Sequence, residues 1–143
     1  MVLYARDIVE KDFLTLAQTT SVLRASEIMN EKRHGFVVVS TPSNNWEGIV
    51  TEWDILSKVV AVGKDPAKVT LDDIMTKGLV TVKSEDGISA VAQVMADRGI
   101  RRVLVTQNGE IIGVITAKTV LARLRDYVDN ISSQISRLQA PWF

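Results

Sequence analysis

The chain has no cysteine and only one histidine among its 143 residues. Disulfide bonds and thiolate zinc sites are therefore excluded, and His34 has no second imidazole with which to hold a metal ion. The formal net charge is zero, because 17 basic side chains balance 17 acidic ones. No overall electric field favours nucleic acid. The local basic residues Arg98, Arg101, Arg102, Arg123 and Arg125 keep nucleic-acid binding as a minor alternative.

Long hydrophobic runs are also missing. No apolar segment approaches the roughly 20 residues that a membrane span requires. Arg6 and Asp7 interrupt the N-terminal region, where a signal peptide would be continuously apolar. We therefore expect a cytoplasmic protein with neither a membrane span nor a membrane partner.

What the sequence does contain is an internal repeat. Phe13–Leu16 and Leu79–Val82 share an apolar pattern at a separation of 66 positions, as do Phe36–Val39 and Arg102–Val105. After a loop that is one residue shorter in the second half, glycines recur at a separation of 65. The pattern predicts a tandem duplication, so internal similarity defines the architecture before any single element does.

Each repeat reads as β-α-β-β-α, which predicts a mixed α/β (α+β) fold. We assign residues 1–66 to the first unit with its linker, 67–127 to the second unit, and 128–143 to a C-terminal helical extension and tail. Thr20 and Asp86 are candidate helix N-caps, and Gly35 and Gly99 lie near the ends of those helices. The Asn108–Gly109 pair predicts a tight hairpin in the second unit.

The most informative stretch is Gly48–Leu56, which reads as a strand that turns directly into a helix. Thr51 and Asp54 stand at that turn, which we call the hook. A second hook follows Gly113, with Thr116 in the place of the first threonine, but it carries Thr119 where the first hook has its aspartate.

The tandem units and the phrase glycine-apolar-apolar-threonine-x-x-aspartate resemble the CBS domain, named after cystathionine β-synthase. A pair of such units is called a Bateman module, and the resemblance covers about Tyr4 to Tyr127. It implies two units packed about a pseudo-two-fold axis. It also implies clefts between the units that bind adenine nucleotides or S-adenosyl ligands and thereby regulate another protein.

The resemblance also implies roles for particular residues. In the first cleft, Thr51 contacts phosphate and Asp54 contacts ribose, since a carboxylate accepts hydrogen bonds from both ribose hydroxyls. The opposite repeat supplies the base pocket and two phosphate-binding arginines. The implied residues there are Met75, Gly78, Val80, Ile100, Arg101 and Arg102.

The second cleft is expected to be weaker, because Thr119 lacks the charge of a carboxylate. The loss is of order 1–2 kcal/mol, or roughly a tenfold weakening. The residues implied for this cleft are Val9, Leu14, Arg33, His34, Thr116 and Thr119.

The chain contains no nucleotide-hydrolysis loop, no zinc-protease motif and no cysteine nucleophile, so we expect no catalysis and no catalytic cofactor. The leading hypothesis is a sensor of adenine nucleotide, AMP first and ADP or ATP next, that acts on an unknown regulated protein. Binding of S-adenosylmethionine is an alternative. A structural or oligomerisation module with empty clefts, which would act through Trp53 and the C-terminal helix, is another.

The C-terminal helix carries apolar residues at spacings of three and four, as a coiled-coil seam does. We expect it to join two copies in a homodimer. A helix that folds back on its own core is the alternative. The seam consists of Leu121, Leu124, Val128, Ile131, Ile135 and Leu138.

Overall fold

The computed structural model describes residues 3–43 and 45–138, which form two compact units. Residues 12–80 form one unit, called here the Asp54 unit. Residues 3–11 and the chain from 81 onward form the other, called the Thr119 unit. The units thus differ in extent from the contiguous sequence repeats, because the short segment that begins each repeat packs with the body of the other one.

The predicted mixture of helices and strands is confirmed. One element departs from ordinary geometry, a π-helical segment at Leu56–Val60, in which Ala61 N donates to Leu56 O at 2.8 Å. The regular elements in chain order are α1 Ala5–Ile8, β1 Leu14–Ala17, α2 Val22–Lys32, β2 Phe36–Ser40, β3 Trp46–Thr51, α3 Glu52–Ile55, α4 Leu71–Ile74, β4 Thr76–Lys77, β5 Thr81–Lys83, α5 Ile88–Arg98, β6 Arg102–Gln107, β7 Glu110–Thr116 and α6 Ala117–Ser136.

The Asp54 unit contains a four-stranded sheet in the order β1-β2-β3-β4. The first pair is parallel and the other two pairs are antiparallel. Val37, Val38 and Val39 of the second strand are completely buried, as β-branched residues of a central strand often are. α2 contributes its apolar face, including Val22 and Met29, to the same core.

The Thr119 unit contains a three-stranded sheet in the order β5-β6-β7, with one parallel and one antiparallel pair. Asn108 and Gly109 both have positive φ, 52° and 79°, at the tight connection between β6 and β7. The predicted hairpin is thereby confirmed, since two adjacent left-handed residues are what such a turn requires.

A short segment pairs with β3 in the Asp54 unit and with β7 in the Thr119 unit, at equivalent places. Thr76 pairs with Ile49 in the Asp54 unit, and Glu10 pairs with Val114 in the Thr119 unit. The neighbouring glycine of the repeated phrase leaves room for that segment. A Cβ on Gly113 would lie 2.5 Å from the Glu10 carbonyl oxygen, closer than atoms can approach without displacement.

We predict that Gly113→Ala destabilises the protein by about 1–3 kcal/mol, because the backbone beside it has to move. Gly87→Ala is the matched control, since its Cβ would meet nothing closer than Leu3 O at 3.9 Å. Urea denaturation followed by circular dichroism measures both variants. Equal stability of the two variants would show that the close approach at Gly113 is not a constraint.

α6 spans 20 residues, and its seam is open to solvent. The exposed fractions of the seam side chains run from 37% at Ile131 to 74% at Leu138. This finding argues against a helix that folds back to bury its seam in its own core. Residues 139–143, the rest of the predicted tail, lie outside the described residues. Within the described ranges, no helix is both long and apolar enough to cross a membrane.

Candidate ligand-binding site

The first hook is a reciprocal cap at the start of α3. The Thr51 backbone N–H donates to Asp54 Oδ2 at 2.9 Å, and the Thr51 hydroxyl lies 3.2 Å from the same oxygen. In return, the Asp54 backbone N–H donates to Thr51 Oγ1 at 3.4 Å. This arrangement is a capping box, which satisfies backbone donors that the first turn of a helix leaves unpaired.

Lys58 forms an ion pair with the other oxygen of the Asp54 carboxylate. Its Nζ lies 3.0 Å from Asp54 Oδ1 and donates to Ile74 O at 2.8 Å. Asp54 is buried, with only 8% of its surface exposed. Both of its oxygens therefore already have protein partners, and a ribose has to share or displace them. Lys58 is absent from the sequence-based site, although an acid–base pair four residues apart on a helix signals such a contact.

Met75 is buried in the core of the Asp54 unit. A Cβ on Gly48 would lie 2.8 Å from its sulfur, so the thioether packs directly over that glycine. Gly78 follows β4 with φ of 78°, and Val80 is half-buried. The structure thus brings Met75, Gly78 and Val80 into the same unit as the first hook.

Three residues that were predicted for the second cleft also lie in the Asp54 unit. Leu14 packs against the core of that unit from β1. Arg33 and His34 line an open depression of about 840 Å³, which the hook residues do not line. The described residues contain no cluster of three His, Cys, Asp or Glu side chains suited to a metal ion.

The second hook begins α6 in the Thr119 unit. The Thr119 backbone N–H donates to Thr116 Oγ1 at 3.2 Å, and the two hydroxyl oxygens lie 3.0 Å apart. Thr119 Oγ1 also donates to the Glu10 carboxylate. Sequence reasoning missed Glu10, because it lies 109 positions from Thr119 and only the fold joins them.

The arginine pair lies beside this second hook. The Ala117 N–H donates to Arg101 O at 2.8 Å, and Arg102 is the register partner of Thr116 in the sheet. Ile100 precedes the pair and is half-buried, as is Val9 in the N-terminal segment of the same unit. The sequence assigned Ile100 and both arginines to the cleft of the first hook, which lies in the other unit. That assignment remains a prediction.

Two sheets with matching strand-to-helix hooks make this chain a tandem repeat of one mixed α/β unit. Residues 5–61 and 71–126 each match the CBS domain, and the chain belongs to that family.

Similar proteins support this membership. An uncharacterized protein of Methanopyrus kandleri is 31% identical over 134 residues, which cover 93% of this chain and 68% of that protein. An uncharacterized conserved protein of Pyrococcus horikoshii has a similar crystal structure, with a TM-score of 0.80 at 29% identity, covering 87% of this chain and 94% of the other.

Two further proteins are similar to the chain in fold or over part of their length. A CBS domain pair solved with 5′-methylthioadenosine and S-adenosylmethionine shares the fold, with a TM-score of 0.75 at 24% identity, covering 88% of this chain and 98% of the other. Homoserine O-acetyltransferase of Methanohalobium evestigatum is 27% identical over 125 residues, which are 87% of this chain. The chain spans only 24% of the length of that enzyme.

We predict that Asp54→Ala lowers the free energy of unfolding by about 1–2 kcal/mol, because it removes the carboxylate half of the capping box and the partner of Lys58. Lys58→Met should cost less, about 0.2–1 kcal/mol, since the lysine side chain is 44% exposed. A double-mutant cycle by urea denaturation measures the coupling, with Asp72→Ala as the exposed-acid control. Strictly additive losses would contradict an energetically significant ion pair.

Proposed function

We propose that this chain is a regulatory sensor that binds an adenosyl ligand at its hooks. AMP is the first candidate, and ADP, ATP and S-adenosylmethionine are the alternatives. The observation that carries the proposal is the hook itself, where Thr51 and the Asp54 carboxylate meet at the turn from strand to helix. The adenosyl ligands of another CBS pair with the same fold add support.

The chemistry of the hook suits a ribose. A carboxylate has about four acceptor positions, and the vicinal hydroxyls of a ribose supply two donors, so one acid can hold both. Hydrogen bonds to a charged acceptor are roughly twice as strong as neutral ones. Asp54 Oδ2 already accepts from the backbone N–H and the hydroxyl of Thr51, whereas Oδ1, with Lys58 as its partner, retains a lone pair for a ligand hydroxyl.

Positive charge near the hooks suits a phosphate. Lys58 has a partly exposed ammonium beside Asp54, and a phosphate could draw it from the carboxylate. Arg102 begins β6 beside the second hook and Arg101 directly precedes it, and guanidinium groups can bind phosphate through two parallel hydrogen bonds. These groups favour AMP over an uncharged nucleoside.

The proposed action is regulatory and involves no catalysis. CBS pairs are typically regulatory modules, and the homoserine O-acetyltransferase match spans a minor part of that enzyme. Ligand binding transmits a signal only if the ligand prefers one conformation or assembly over another. The regulated protein is a partner that the chain alone does not identify.

We predict that the full chain binds AMP in isothermal titration calorimetry, with ATP and S-adenosylmethionine as comparison ligands and GMP as the negative control. Asp54→Asn keeps a cap acceptor but removes the charge, so it should weaken binding at one site by about tenfold or more. Asp72→Asn is the control for loss of an exposed acid. Absence of binding by the wild type to every adenosyl ligand would refute the proposal.

A second candidate function is self-association through α6, and the exposed seam favours it. Val128 and Ile135 at a positions, with Leu124 and Leu138 at d positions, follow the pattern that favours two-stranded coiled coils, whereas Leu121 at a and Ile131 at d depart from it. Gln134 and Ser132, which flank the seam, carry no charge to oppose a second copy. Trp53 is also exposed, at 65%, and offers a separate contact surface in the Asp54 unit.

We predict that Ile135→Glu shifts the chain from dimer to monomer in analytical ultracentrifugation, because it places two like charges in the seam. Ser133→Glu introduces the same charge on the opposite face of the helix and should leave the dimer intact. A wild type that is monomeric at high concentration would contradict this second function. A dimer that is insensitive to Ile135→Glu would place the interface elsewhere.

A further inference from the structure

The second hook has an acid that its own sequence motif lacks. We propose that Glu10 is the ribose-binding carboxylate of the Thr119 hook, supplied from the segment that pairs with β7. This inference rests on the proposed function, which it extends by naming the residue that completes the second site. It also removes the reason for expecting that site to be the weaker one.

The sheet registers show that the positions of the carboxylate and the threonine are exchanged between the two repeats. Asp54 and Thr119 are equivalent, 65 positions apart within the repeated phrase. Thr76 pairs with Ile49 as Glu10 pairs with Val114, so Thr76 and Glu10 are equivalent too. Each unit therefore has one carboxylate and one threonine at the same two structural positions, with their order exchanged.

The fold holds Glu10 firmly at the hook. Its backbone N–H donates to Val114 O at 2.8 Å, and its carbonyl oxygen accepts from Val114 N at 2.9 Å. The absent side chain of Gly113 allows this close pairing. Thr119 Oγ1 then donates to Glu10 Oε1, which fixes the carboxylate beside the N-terminus of the 20-residue α6.

The Glu10 carboxylate is also more available than that of Asp54. Glu10 is exposed, and Oε2 has no hydrogen-bond donor or ion-pair partner in the described part of the chain. Asp54 is buried and has a protein partner on each oxygen. A ribose therefore displaces nothing at Glu10 Oε2, whereas at Asp54 it competes with Lys58.

The test is calorimetry of the full chain with AMP and with 2′-deoxy-AMP, in wild type and in an Asp54→Asn background that isolates the second hook. Glu10→Gln keeps an acceptor for Thr119 but loses the charge. We expect it to weaken AMP binding by about tenfold or more. It should weaken 2′-deoxy-AMP binding less, because one of the two hydroxyls that use the charge is already absent.

Glu110→Gln, at the start of β7 in the same unit, is the matched control and should bind AMP like its parent. The exchange variant Glu10→Thr/Thr119→Asp rebuilds the arrangement of the first hook and should restore AMP binding. Unfolding midpoints check that each variant is folded. If Glu10→Gln itself fails to fold, AMP affinity in the exchange variant decides the question.

Three results would overturn the role of Glu10. The first is wild-type AMP affinity in Glu10→Gln, and the second is an equal loss for AMP and 2′-deoxy-AMP, which a merely structural cap would produce. The third is an exchange variant that folds but does not bind AMP. Failure of the wild type to bind AMP, ATP or S-adenosylmethionine is a different outcome, because it refutes the proposed function as well.

Discussion

In each unit, a short segment passes so close to the glycine of the repeated phrase that a Cβ there would overlap it. A side chain at Gly113 would overlap the Glu10 carbonyl oxygen, and one at Gly48 would overlap Met75. Packing, and not backbone conformation, explains why both positions are glycine, since neither has a positive φ. This close approach holds the segment against β3 or β7, and the pairing with β7 places Glu10 beside the second hook. The arrangement of the hooks therefore depends on glycine at both positions, because every other residue has a Cβ that would overlap the segment.

Each hook combines threonine with a carboxylate, but the two carboxylates have different protein partners. In the first, Asp54 caps α3 and pairs with Lys58, so its charge already contributes to the folded state. In the second, the Thr116 hydroxyl caps α6 by accepting from the Thr119 backbone N–H, and the charge is supplied by Glu10, a residue outside the helix. Separating the cap from the carboxylate leaves one carboxylate oxygen open to a ligand. A buried acid that is fully partnered has less capacity left for binding.

Local and repeated features could be predicted from the sequence, whereas contacts between distant segments could not. The duplication, the Asn108–Gly109 hairpin and the exposed helix seam follow from spacing and turn chemistry. The left-handed residue that ends α2 is Arg33 and not Gly35. Gly35 instead leaves space for a side chain, since a Cβ there would lie 3.0 Å from the Glu52 carboxylate. Glu10 was unpredictable because no local pattern links it to Thr119 across 109 positions. The relation between the sites of the two units stays a prediction for the same reason.

α6 connects the two candidate functions physically. It begins directly after Thr116, and its exposed seam begins at Leu121, little more than one helical turn later. A ligand on the second hook and a second copy on the seam would therefore act on one continuous helix. Thermodynamic linkage requires any such coupling to be reciprocal, so a ligand that favours association must bind the associated form more tightly. If the ligand shows no such preference, the two functions are independent even though they share a helix.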